Sequence, residues 1–97
     1  MEVRQTPAFA DWMARLRDHR AKARIAARYD RLALGNPGDV QPVREGVSVL
    51  RIQYGPGYRV YFIKRGQTSI VLLCRGDKST QTEDIRAVKL LAANFED

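Results

Sequence analysis

The stretch VSVLRIQYGPGYRVYFIKR, residues 47–65, decides how this chain is read. On both sides of Gly55-Pro56-Gly57, apolar residues recur at every second position, the period of a strand with one buried face. Glycine and proline at the centre mark a turn, so the segment predicts a hairpin with arms Val47–Tyr54 and Tyr58–Arg65. A three-residue loop pairs Tyr54 with Tyr58, Ile52 with Val60 and Leu50 with Phe62 on the core side. On the opposite side Gln53 meets Arg59 and Arg51 meets Tyr61, because residues two apart share a face.

Beyond the hairpin, Thr68–Arg75 is a further strand, joined through a two-residue turn at Gly66-Gln67. That turn puts Val60 beside Leu73, Phe62 beside Val71, Arg59 beside Cys74 and Tyr61 beside Leu72. A one-residue slip would bury Arg59 and expose Phe62, which favours this register. Upstream, Val40–Arg44 is a strand turning at Glu45-Gly46, and Val3–Gln5 is a short opening strand.

Two helices lie between. Thr6 caps the first, with Pro7 at its first position and a core stripe of Phe9, Trp12, Met13 and Leu16. Asp18 caps the second, His19–Leu34, which Gly35-Asn36-Pro37-Gly38 ends. This second helix sets Arg20, Lys22, Arg24, Arg28 and Arg31 against Asp30 alone, over a thin seam of Ala21, Ile25 and Leu32. Its basic side reads as a solvated face, or as a contact for phosphates or an acidic partner. A last helix opens at Ser79 or Thr80, where Thr80-Gln81-Thr82-Glu83 fits a capping box, with Ile85, Val88, Ala92 and Phe95 inward. The expected architecture is α+β in the order β-α-α-β-β-β(-β)-α, with a small, mainly antiparallel sheet packed on helices in a single domain, 1–97.

Composition narrows the function. With 97 residues, 44% hydrophobic and 29% charged, the chain has room for one core and the make-up of a soluble domain. No signal-like opening and no membrane-length apolar run is present, so a cytoplasmic location and no membrane partner are expected. One cysteine, Cys74, and one histidine, His19, exclude an internal disulfide, a Cys/His zinc site and a two-histidine ribonuclease mechanism, and no metal or cofactor is expected. Cys74 reads as a small buried hydrophobe, with a thiolate beside Arg59 as the alternative; His19 reads as a surface residue. Seventeen Lys and Arg against eleven Asp and Glu give a net charge of +6, which suits nucleic acid or an acidic protein as well as plain solubility.

The register gathers Arg51, Gln53, Arg59 and Tyr61 on one outward patch, and Gly76-Asp77-Lys78 brings Lys78 and Arg75 to the same end. Cations converging on one surface repel, and a phosphate among them offsets that cost. Tyr61 adds a ring for stacking and a hydroxyl able to donate. The bland alternative is solvated sheet surface.

The run Gly55-Pro56-Gly57-Tyr58-Arg59-Val60-Tyr61-Phe62, with Leu72 to Gln81 and Asp84-Ile85, resembles the RelE/ParE superfamily of toxin–antitoxin toxins. The likeness is strongest to its addiction-module killer, or HigB-like, branch, which Thr6-Pro7-Ala8-Phe9 and Val47 to Ile52 also match, and it covers almost the whole chain. The resemblance implies a RelE-like fold and a type II toxin that cuts messenger RNA on the ribosome without a metal. In that reaction a ribose 2′-hydroxyl attacks the adjacent phosphate, and needs a base, cations and an acid. It places Arg59 at the phosphate-binding strand arginine, Arg51 near the strand lysines that orient RNA or act as base, and Lys78 at a charge-stabilising position. Gln53 and Arg75 join Arg51 as RNA contacts, and Asp84, standing where several members carry a tyrosine, is a candidate acid alongside Tyr61. Implied partners are the ribosome, mRNA and a cognate antitoxin with a helix-turn-helix. The rival readings are a ParE-like inhibitor of DNA gyrase and a non-catalytic phage-derived relative that binds nucleic acid or a repressor.

Overall fold

Local chemistry starts both helices, and stops the second, where the sequence asks. In the computed structural model, which describes residues 1–44, 46–76 and 90, Thr6 caps α1 (Pro7–Arg15). Its hydroxyl accepts from the Phe9 N–H at 3.2 Å and donates to the Leu73 carbonyl at 2.5 Å, so one buried side chain both opens the helix and ties it to the sheet. Asp18 caps α2 (His19–Ala33) by accepting from the N–H groups of Arg20 and Ala21, each at 3.1 Å. At the far end Gly35, at φ +91°, lets its own N–H reach Leu32 and that of Asn36 reach Arg31, the paired reverse bonds that satisfy a helix's last carbonyls. The α-ammonium of Met1 donates to a further one, Ala33, at 3.0 Å.

The strands are β1 (Glu2–Gln5), β2 (Val40–Arg44), β3 (Val47–Ile52), β4 (Tyr58–Arg65) and β5 (Ser69–Gly76). They form one five-stranded sheet in the order β1-β5-β4-β3-β2, antiparallel except for the parallel pair β1–β5. The α+β class and the mainly antiparallel sheet follow the sequence reading. Pro42 is tolerated because β2 is an edge strand with an irregular register at that point. The expected last helix, with its capping box, Lys78 and Asp84, lies outside the described residues. No helix among the described residues is long and apolar enough to cross a membrane.

Two registers differ from expectation. In the β3–β4 hairpin Ile52 faces Tyr58, Leu50 faces Val60 and Arg51 faces Arg59. The loop therefore holds five residues, 53–57, closed by the Tyr54 N–H on Ile52 and the Gly57 N–H on Tyr54. A shift of two leaves every side chain on its expected face. Between β4 and β5 the turn has three residues, Arg65 facing Ser69 and Phe62 facing Leu72. A bulge at Leu73 then aligns Tyr61 with Cys74, Val60 with Arg75 and Arg59 with Gly76. This odd slip exchanges the faces of Ile70 to Leu73, all of which are buried, and the bulge returns Cys74 and Arg75 to the expected parity. An uninterrupted apolar run has no polar side to protect.

The sheet carries an apolar cluster on each face. Phe9, Ile25, Leu50, Val60, Phe62 and Leu72 belong to the helix-side core; Val47, Val49, Tyr61, Ile63, Val71 and Leu73 form the other.

Candidate functional site

The C-terminal end of β3, the 53–57 loop and the start of β4 wall a cleft of about 550 Å³, lined by Arg51, Gln53, Tyr54, Tyr58, Arg59 and Asp39 among others. Two glycines at positive φ, Gly55 and Gly57, let the loop swing wide of the strands and leave this space open. Arg51 and Arg59 occupy directly opposed positions on the antiparallel pair. Like charges so placed destabilise a sheet, and both residues line the cleft, where their summed charge draws an anion.

Part of that cost is already offset. One carboxylate oxygen of Asp39 accepts from Arg51 Nη2 at 2.7 Å and Nε at 3.0 Å, and each side chain of this ion pair is about one-third exposed, 35% and 32%. The Arg51 guanidinium is thereby fixed in orientation. Arg59 is half-buried at the cleft wall.

Arg28 braces the site from α2. Its Nη1 donates to the Arg51 carbonyl at 2.7 Å, and its Nη2 reaches the carbonyls of Asp39 at 3.3 Å and Pro37 at 3.4 Å. Gly38 makes room for this fork: it sits at φ +65°, and a Cβ there would stand 3.1 Å from Arg28 Nη2. Gly38→Ala is therefore expected to cost about 1–3 kcal/mol for the left-handed backbone alone, and more through the displaced guanidinium. Urea denaturation checks this against Gly46→Ala, where φ is +82° but among the described residues nothing stands within 4 Å. Equal costs for the two would show that Arg28 gives way freely.

A second lobe of about 430 Å³ adjoins the first and shares Asp39, Arg51, Ile52 and Gln53 with it; its remaining wall is Arg24, Ala27, Arg28 and Arg31 of α2. The Arg24 guanidinium lies over the Tyr54 ring, 4.7 Å from its centroid. Tyr29, on the core side of α2, lies apart from both lobes. Its phenol is pushed above the usual range, first by burial and then by the charge of Asp30, against a lowering hydrogen bond with Gln5.

Of the residues singled out in the sequence, Arg51, Gln53 and Arg59 meet in this cleft. Tyr61 does not join them. It was expected outward, but it is fully buried in the second apolar cluster, with Val71 and Leu73. The cause is the composition of that face: Val47 and Val49 precede Arg51, and Ile63 follows Tyr61, so the face is apolar along its length and basic only at the loop end. No base can stack on Tyr61 there. Arg75 also leaves the patch, since the bulge sets it opposite Val60, on the strand side away from Arg59, where it is exposed. Cys74 packs half-buried against the second cluster, opposite Tyr61 rather than Arg59. Lys78 and Asp84 lie outside the described residues.

Sequence reasoning missed Asp39 and treated Tyr54 and Tyr58 only as a strand pair. Asp39 follows the helix-ending Asn36-Pro37-Gly38, which returns the chain to the end of β3, and that proximity has no local signature.

No family model matches the chain. A protein of Haemophilus influenzae, named only as uncharacterized, is 47% identical over 92 residues, which span 95% of this chain and 93% of that relative. At that identity over nearly the full length of both, the chain belongs to the same family as the Haemophilus influenzae protein.

Proposed function

We propose that the chain is the toxin of a type II toxin–antitoxin module, a metal-independent and ribosome-dependent mRNA endoribonuclease whose RNA site is the 53–57 cleft. The observation that carries the reading is the placement of Arg51 directly across from Arg59 over an open cleft. Arg59 binds the scissile phosphate and steadies charge as the phosphorane forms. Arg51, oriented by Asp39, holds the strand near the attacking hydroxyl, and Gln53 contacts the RNA. Since Tyr61 is buried, the phenols available to hold a base or protonate the leaving oxygen are those lining the cleft, Tyr54 and Tyr58. Lys78 and Asp84 keep the roles that the resemblance to RelE/ParE toxins implies. A cognate antitoxin with a helix-turn-helix would neutralise the activity in the cytoplasm.

The test is addition of the purified chain to a reconstituted translation reaction, with primer extension on the transcript. Translation-dependent cleavage is the expected result. An intact transcript together with inhibited supercoiling by DNA gyrase would replace the nuclease with the ParE-like reading.

A further inference from the structure

We infer that the helix-side lobe is a second phosphate subsite, so that one single-stranded polynucleotide lies across both lobes and is held on α2 by Arg24 and Arg31. This rests on the proposed RNA-acting site for the identity of the polymer, but not on cleavage.

Continuity comes first. The two lobes share Asp39, Arg51, Ile52 and Gln53 as a common wall, so a chain leaving the Arg51–Arg59 cleft enters the second lobe directly. Helical spacing comes next. Arg24, Arg28 and Arg31 stand at i, i+4 and i+7, one face of a helix, and Arg20 continues the row one turn earlier. From Arg20 to Arg31 the row runs about 16 Å at the helical rise, enough for more than one backbone phosphate.

The charges in the lobe have distinct duties. Arg28 is spent on three carbonyls, and Arg51 on Asp39. Carbonyls do not neutralise a guanidinium, so Arg28 still adds its charge to the field. Arg24 and Arg31 are exposed on the same side, and Asp39 is the one carboxylate lining the two lobes among the described residues. Arg24, lying over Tyr54, combines a cation with a flat platform of the kind on which bases stack. An acidic peptide fits less well. It would want apolar pockets for anchoring side chains, and the apolar lining of this lobe is Ala27 and Ile52.

The experiment measures fluorescence anisotropy of a 5′-labelled, fully 2′-O-methylated RNA 12-mer, which cannot be cut through its 2′-oxygens, with the full chain over a range of salt. Each phosphate contact on a single strand contributes roughly 0.7 to the slope of log affinity against log salt. Arg24→Ala with Arg31→Ala is expected to reduce that slope by about 1.4 and to weaken low-salt binding on the order of tenfold. Arg31→Ala alone, a change at an exposed position, is expected to reduce it by about 0.7. Arg15→Ala with Lys64→Ala removes the same charge from exposed positions outside the groove and is expected to leave the slope unchanged.

Equal effects of the two double variants, an unchanged slope, or absence of binding by the native chain would overturn the subsite. Displacement of the strand by polyglutamate as readily as by unlabelled RNA would assign the groove to an acidic protein instead. The two proposals fail separately. A slope that falls as expected while transcripts stay intact removes the nuclease and keeps the groove; cleavage with an unchanged slope does the reverse.

Discussion

Phe9→Ala is expected to remove about 3–5 kcal/mol of stability, the range for deleting a large aromatic ring from a packed interior. Phe9 is fully buried, its ring centroid 5.7 Å from that of Trp12 and 6.2 Å, edge-on, from that of Tyr29. It joins α1 to α2 and the sheet, and its own N–H is the one that Thr6 caps. A domain of this size has only about 5–15 kcal/mol in total. The melting temperature should therefore fall by at least about 12 °C, taking about 4 °C per kcal/mol as the lower end for such domains. Trp12, the one tryptophan, stands against both Phe9 and Tyr58 and reports the transition by fluorescence. A fall of less than about 4 °C would mean that α1 is not anchored through this ring.

Under the proposed nuclease function, Arg59→Ala is expected to lower the rate of transcript cleavage on the order of 10²–10³-fold, the usual effect of removing one preorganised group from a developing oxyanion. Stability should change by less than about 1 kcal/mol, the range for partly exposed charge interactions. The contrast with Phe9→Ala is the informative part, since activity and melting temperature respond to different residues. Arg59→Lys keeps the charge but not the planar fork, and an intermediate loss of about tenfold is expected. Full cleavage by Arg59→Ala, measured in the same translation reaction, would remove the cleft from the chemistry.

What the sequence disclosed and what it withheld divides along physical lines. Both helix starts and the end of α2 were readable because a cap is settled within four residues: Thr6, Asp18 and Gly35 act on their immediate neighbours. The faces of β3 and β4 were readable from their alternation, which is why Arg51, Gln53 and Arg59 were grouped correctly despite a register shifted by two. Strand β5 gave no such guide. Its apolar run permits either parity, so Val71, Leu72 and Leu73 took the opposite faces, and the bulge at Leu73 leaves Arg75 opposite Val60, away from Arg59. Tyr61 was misplaced because a polar face was inferred from its basic end, although Val47, Val49 and Ile63 share that face. The Asp39–Arg51 ion pair and the parallel β1–β5 pair join segments far apart in the chain, where no local pattern announces them.

That last pairing has a bearing on biosynthesis. The hydroxyl of Thr6 meets the carbonyl of Leu73 across 67 residues of chain, and β1 can dock only on a β5 already in place. Local hairpins close early and distant partners late. A nascent polypeptide would thus hold its amino-terminal strand undocked until three-quarters of the protein had left the exit tunnel. Whatever activity the folded domain carries is then postponed, by topology alone, to the closing moments of its own manufacture.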